Sequence, residues 1–305
     1  MKTRSIAVVG PGRVGLSLAA ALARARMFRR ITVFGRHPEP PEHPVFDDES
    51  VLWVFGLAPL DADCAAVFLA VPDDVVPELA FTLAGHGPAP EGCAAFHLSG
   101  SLPTDVLAPL HHRGFGVGAF HPLIAVGDGL RGAARFVDAT VAVTAGPETL
   151  RTARAIADAI GSEVASVPAA RRPLFDAAVT LASDALLPVL GQSARLMQEA
   201  GLEEDEALRA LLPLVRTMLA SVEEGGVPFA VAGPILRGDV EAAALHLRAL
   251  EPPDRRFYAL VGHELLRLCR DVPGLRGVPE QDREELSDLF RRYAEVETTE
   301  AGVGS

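Results

Sequence analysis

The sequence predicts an α/β fold in two parts: a mostly parallel sheet domain over residues 1–167 and an all-α helical domain over 168–305. Three observations predict it. The turn Gly10-Pro11-Gly12-Arg13-Val14-Gly15 lies between the apolar run Ser5-Ile6-Ala7-Val8-Val9 and a helix-forming stretch at 16–23. Apolar runs ended by turn residues then alternate with helical spacing as far as Val167, as expected of strands covered on both faces by helices. Past Pro168 apolar residues recur only at helical spacing.

The opening strand, glycine turn and helix have the order of a Rossmann-like dinucleotide-binding unit. Gly10 allows the tight turn, Gly12 lets the backbone approach a pyrophosphate, and Gly15 lets helix and strand pack closely. The pyrophosphate would rest on the unpaired N–H groups at the helix start. The second strand, 31–34, ends in Gly35-Arg36-His37, where an NAD site carries an acid for the ribose hydroxyls. The fork of Arg36 matches a 2′-phosphate instead, and Arg13 could assist, so NADP is the expected cofactor. Glu39 keeps NAD possible, and a solvated loop charge is the other reading of Arg36.

An irregular patch at 38–48 leads to a short apolar run at 51–55. A buried strand at 66–71 ends in Pro72-Asp73-Asp74 and is followed by a helix at 75–84. Strands at 94–98 and 116–120 run into Ser99-Gly100-Ser101 and His121-Pro122-Leu123. A strand at 140–144, a helix at 148–160 and a strand at 163–167 finish the sheet. Helices are expected at 174–200, 203–224, 240–250, 256–270 and 281–296.

With 49% hydrophobic and 22% charged residues, the 305-residue chain has the composition of a soluble globular protein. A net charge of −12 argues against nucleic acid as a partner. Cys64, Cys93 and Cys269 have no metal-site or disulfide-framework spacing, so no metal is expected. The run after Lys2 and Arg4 is cut by Gly10 too early for a secretory signal, and no uninterrupted apolar stretch approaches a membrane span. A cytoplasmic location is the expectation. Lys2 is the only lysine, and it precedes the first strand. This excludes the lysine acid/base chemistry of the 6-phosphogluconate, 3-hydroxyisobutyrate and ketopantoate dehydrogenase and reductase families.

Ligands of open α/β sheets bind beyond the carboxyl ends of the strands, where Pro72-Asp73-Asp74, Ser99-Gly100-Ser101 and His121-Pro122 all fall. His121 is the acid/base candidate, with Ser99 beside it to orient or protonate the reacting group; an equally open reading makes His121 a strand cap bonded to backbone. His97, inside an apolar strand, reads as a core residue with its hydrogen bonds satisfied, or as one that supports the site from behind. Asp176, Thr180, Ser183 and Asp184 fall on one side of the 174–200 helix. Asp176 and Asp184 either hold a cationic substrate group, or cap, face water or pair with Arg171 or Arg172. Arg237, in the loop around Gly233-Pro234 and Gly238-Asp239, either anchors a substrate anion or ties the loop down.

Together these segments resemble a family of oxidoreductases with a Rossmann-like N-terminal domain and a C-terminal domain of unknown function, related to pyrroline-5-carboxylate reductase. The likeness is carried by Gly10 to Gly15, Ala70-Val71-Pro72-Asp73, His97-Leu98-Ser99-Gly100-Ser101, Phe120-His121-Pro122-Leu123, and Gly233-Pro234 with Arg237-Gly238-Asp239 and His246-Leu247. It implies a nicotinamide-dependent enzyme acting on a small-molecule substrate between its domains, and homodimers built through the helical domain. The expected cofactor contacts are Gly10, Gly12, Arg13, Val14, Gly15, Arg36, Val71 and Pro72. Two positions depart from the family pattern, since Phe175-Asp176 and Ser183-Asp184 stand where it carries a His and an Asn. An ionised carboxylate lacks the donor those groups offer, which points to a cationic substrate or to lapsed catalysis. A prephenate or arogenate dehydrogenase relative and a non-catalytic NADP-binding sensor or assembly subunit are the alternative functions.

Overall fold

Eight strands form one sheet in the computed structural model, which describes residues 4–127, 130, 132–227, 233–271 and 278–294. They are β1 (Ser5–Val9), β2 (Arg30–Gly35), β3 (Val51–Phe55), β4 (Cys64–Leu69), β5 (Ala94–His97), β6 (Gly116–Pro122), β7 (Thr140–Ala145) and β8 (Glu163–Ser166). Their order is β3-β2-β1-β4-β5-β6-β7-β8, parallel throughout except where β7 runs antiparallel to β6. The order reverses between β1 and β4, so a crevice opens beyond the carboxyl ends of these two strands.

The chain divides into two compact units, Met1–Ser183 and Asp184–Ser305. In the first, side chains alternate across the sheet. Ile6 and Val8 join Leu18 and Leu22 of α1 (Arg13–Ala25) and Ile156 of α4 (Pro147–Ile160) on one face. Ala7 and Val9 join Val76 and Leu83 of α2 (Val76–Ala84) and Leu110 of α3 (Ala108–His111) on the other. Phe68, Phe96 and Phe120 on three adjacent strands meet with ring centroids 5.1 to 5.7 Å apart. This aromatic layer fixes β4, β5 and β6 side by side, and with them the strand ends that carry Asp73, Ser99 and His121. The run at 51–55 is an edge strand, parallel to β2.

α5 (Arg172–Ser183) ends the first unit, and α6 (Leu186–Glu199) begins the second. The single helix expected over 174–200 is therefore two. Pro188 has no N–H to give the carbonyl four residues back and its ring crowds that carbonyl, so the helix breaks at Asp184 and Ala185. Asp184 thus sits in a turn, off the helical face on which its spacing put it. The 169–199 stretch is long and apolar enough to cross a membrane by length and composition, although polar residues interrupt its apolar runs.

Within the second unit, α6 packs on α7 (Glu204–Gly225) through Ala194, Ala207 and Leu211. α8 (Val240–Ala249), α9 (Pro252–Asp271) and α10 (Glu280–Ala294) share a core around Leu247, Ala259, Leu286 and Phe290. α9 starts four residues earlier than its periodicity suggests, because proline is well suited to a first helical turn. The expected residues 295–296 of the last helix lie outside the described residues.

Replacing Phe96 with alanine is expected to lower the stability of the first unit by about 3–5 kcal/mol in denaturant unfolding, since its fully buried ring leaves a cavity between two others.

Candidate functional site

The glycine turn begins where β1 ends. Gly10 has φ of +107°, and a Cβ on it would collide with the carbonyl of Ala70. A side chain on Gly15 would strike the carbonyl of Gly10, which is why helix and strand can lie so close. Gly12 has open space where its Cβ would be. It caps α1 in an extended conformation and, having no side chain, makes no capping hydrogen bond to the first N–H groups; no acid stands in the first turn. The positive end of the helix is left facing the crevice.

Two cavities flank this turn. The larger, about 690 Å³, is bordered by Gly10, Gly12, Arg36, His37, Glu39, Trp53, Val71 and Pro72. The indole of Trp53 is held by a hydrogen bond from its Nε1 to the Pro38 carbonyl at 3.1 Å and by edge contact with Phe46. The smaller, about 340 Å³, is bordered by Gly12, Arg13, Val14, Val71, Pro72, Asp73, Ser99 and His121. All eight expected cofactor contacts except Gly15 therefore border one cavity or both, and Gly15 lies buried beneath the turn. The exposed Arg13 guanidinium donates to the Gly127 carbonyl at 3.4 Å.

Around the smaller cavity the polar groups form a connected set. Ser99 Oγ donates to Asp73 Oδ2 at 2.8 Å and accepts from the N–H groups of Ser101 and Leu102 at 3.2 and 3.0 Å. Ser101 Oγ donates to the same carboxylate oxygen at 2.8 Å. With its proton and lone pairs engaged, Ser99 builds the turn and aims Asp73 into the cavity. His121 is half-buried, and burial lowers its pKa below the ordinary histidine value; Arg172 adds to this, while Asp176 and Asp73 oppose it. Asp176 and the His121 ring both lie against the Cα of Gly100.

Two further groups border the site, which the sequence marks only as an arginine able to pair with an acid, Arg172, and as a core residue or one supporting the site from behind, His97. Arg172, the first residue of α5, is 94% buried; its Nη1 donates to Thr144 Oγ1 at 3.1 Å and its Nη2 to the Ser99 carbonyl. Its Nε has no partner among the described residues. His97 is fully buried beside the Ser99 backbone, and neither ring nitrogen meets a well-formed hydrogen-bond partner among the described residues, against the satisfied core histidine expected from sequence. Burial first, then the Arg172 charge, push its pKa down to about 4. The pair Arg171-Arg172 ahead of a proline-started helix was the available signal, but only the fold shows which arginine turns inward.

In the second unit Arg237 is exposed at the end of a short turn before Gly238, whose φ is +78°. Asp239 caps α8 by accepting from Ala242 N at 2.9 Å. Tyr258 OH and His246 Nδ1 lie 2.9 Å apart. Among the described residues no group of three or more His, Cys, Asp or Glu side chains could hold a metal ion.

Residues 2–122 match a Rossmann-like domain, and residues 139–265 match a domain of unknown function designated DUF2520. These are the two domains, in the order, that the sequence resemblance implies. No curated protein matches the chain. Among solved structures, a protein assigned as an NADP oxidoreductase from Bacteroides fragilis is 22% identical, with a TM-score of 0.65 over 86% of this chain and 97% of its own. Pyrroline carboxylate reductase of Plasmodium falciparum with NADP bound is 11% identical, with a TM-score of 0.59 over 97% of this chain and 100% of its own. The reductive aminase of Aspergillus terreus in complex with NADPH and ethyl-5-oxohexanoate is 16% identical, with a TM-score of 0.58 over 95% and 93%. At these identities the likeness is one of fold.

A histidine held neutral by the fold ties stability to pH. With a folded pKa of about 4 against an ordinary 6.5, the unfolded chain binds the extra proton between these values. The contribution is complete above pH 6.5 and is lost as pH falls toward 4, up to about 3 kcal/mol. Unfolding in denaturant across that window is expected to show the loss, and His97→Phe to flatten it.

Proposed function

We propose that this chain, a Rossmann-like domain joined to a DUF2520 domain, is an NADP-dependent oxidoreductase that moves hydride between nicotinamide and a small C=O or C=N substrate. The observation that carries this reading is the pair of cavities meeting over Gly12, where an uncapped helix terminus faces open space at the sheet's topological switch point. The residues present fit a dinucleotide. Gly12 leaves room for backbone approach, the α1 N–H groups face a pyrophosphate, and Arg36 with His37 borders the larger cavity where a 2′-phosphate needs cations. NADP or NADPH in the solved structures of similar fold supports the same cofactor class.

A dinucleotide held on the α1 terminus by Gly12 and beside Arg36 would supply or accept the hydride. His121 gives the proton to the oxygen or nitrogen of the bond being reduced, or takes it in the reverse direction. The half-buried imidazole borders the smaller cavity, where a reacting group could come within its reach. Asp73, fixed by two hydroxyls, lies across the same cavity and favours a substrate with positive charge or a donor N–H. Asp176 adds a second acid near His121. Arg237 and Asp184 are retained as substrate-side candidates from sequence, each described only within the second unit.

A homodimer is part of this reading. Leu187 and Leu214 of the second unit are 67% and 64% exposed, together with Leu208, Leu212, Met218 and Leu219 on α7. A second copy is the partner we infer for that apolar face, with sedimentation at micromolar concentration as the check. The location we infer is the cytoplasm.

Trp53 is the only tryptophan and borders the larger cavity, so its emission reports on cofactor directly. NADPH is expected to quench it saturably and more tightly than NADH. Arg36→Glu should weaken NADPH by about tenfold or more, from the loss of charge-assisted hydrogen bonds, and leave NADH nearly unchanged. Once a substrate is found among imines, amines and oxoacids, His121→Ala should lower kcat by about 10²-fold or more with NADPH affinity retained. Absence of saturable quenching by either cofactor would overturn the assignment.

A further inference from the structure

Arg172 is an expensive residue to keep. A guanidinium taken out of water costs several kcal/mol unless a carboxylate compensates it, and no carboxylate forms an ion pair with Arg172 among the described residues. Its bonds go instead to neutral oxygens on two other elements, the Ser99 carbonyl after β5 and the Thr144 hydroxyl on β7, with one N–H left unpaired. Thr144 Oγ1 in turn donates to the Val167 carbonyl at 2.8 Å, which ties the segment leading into α5 to the sheet. One side chain therefore joins the β5 turn, β7 and the start of α5.

The turn it holds contains Gly100, and Gly100 is where the acid and the imidazole come together. A Cβ built on Gly100 would lie 2.7 Å from His121 Cε1 and 3.0 Å from its Nδ1, and would collide with Asp176 Oδ1. The backbone of Gly100 is not in the left-handed region. The missing side chain is thus explained by space, since the ring and the carboxylate occupy the place a side chain would take. Arg172 and Asp176 are four residues apart on α5, one turn of the helix.

The geometry points to Arg172 as a positioning residue: it fastens the Ser99-Gly100-Ser101 turn to α5 so that His121 and Asp176 meet over Gly100. The groups that face His121 are Arg172 and Asp176 from α5, Asp73 after β4 and His97 on β5. Arg172 disfavours the imidazolium and the two carboxylates favour it. This role rests on the reading of His121 as the proton donor or acceptor.

The test follows the His121 imidazole resonance by NMR in the protein without cofactor, assigned by its loss in His121→Asn. The titration midpoint is expected below the ordinary histidine value in the wild type, higher in Arg172→Met, still low in Arg172→Lys, and lower again in Asp176→Asn. The last direction matters because a loosened, wetter site would raise the midpoint. In turnover, Arg172→Met and Gly100→Ala should each lose about 10²-fold in kcat with KM for NADPH unchanged, and Arg172→Lys should recover part of that loss. A midpoint that does not move in Arg172→Met, or one that rises in Asp176→Asn, overturns the proposal. If Arg172→Met does not fold, Arg172→Gln, which removes the charge but keeps a donor for the Ser99 carbonyl, is titrated in its place and is held to the same outcome. The titrations need no activity, so their failure removes the positioning role and leaves the cofactor reading standing, whereas missing hydride transfer does the reverse.

Discussion

The close approach of the β1 turn to the end of β4 is the constraint from which the rest of the site follows. Only hydrogen fits on Gly10 against the Ala70 carbonyl, and only hydrogen fits on Gly15 against Gly10 itself. These contacts bring the start of α1 to the point where the strand order reverses, with its N–H groups unclaimed. The amide of Ala70 bonds to the Val9 carbonyl at 2.8 Å and locks the two strand ends together. Both cavities border this junction, one on each side of Gly12, so a single backbone arrangement defines where a phosphate can rest and where a reacting group can lie.

Beyond the turn, the site is organised by charge held in a poor solvent. Arg172 and His97 sit in an interior that gives neither a full set of partners, and His97 responds by remaining neutral. Asp73 stays exposed at the rim, where it accepts from two hydroxyls. The result is a half-buried imidazole between a buried cation and two acids, whose opposed influences set how readily it holds a proton. The Phe68, Phe96 and Phe120 layer beneath is what lets such a costly cluster persist, because it fixes the three strand ends rigidly.

Much of this was legible in the sequence where the signal was local. The glycine turn, the apolar strands and the Arg36 position are contiguous patterns whose physics involves near neighbours. The break between α5 and α6 was also written locally, in Pro188, but helical periodicity continues through it and hid the turn at Asp184. Ser99 was recognisable as a strand-end hydroxyl, although its engagement by Asp73 and two backbone N–H groups was not. Arg172 was opaque for a different reason. Its partners Thr144 and Ser99 lie 28 and 73 residues away, and nothing in the dipeptide Arg171-Arg172 tells which side chain turns inward.

The central claim is that the crevice over Gly12 grips a phosphorylated adenine dinucleotide. A crystal structure of the protein grown with NADPH tests it most directly. The account predicts the pyrophosphate on the α1 N-terminus, the 2′-phosphate beside Arg36 and the nicotinamide in the cavity bordered by Asp73 and His121. A dinucleotide bound elsewhere, or a crevice filled by the protein's own side chains at saturating NADPH, would contradict it.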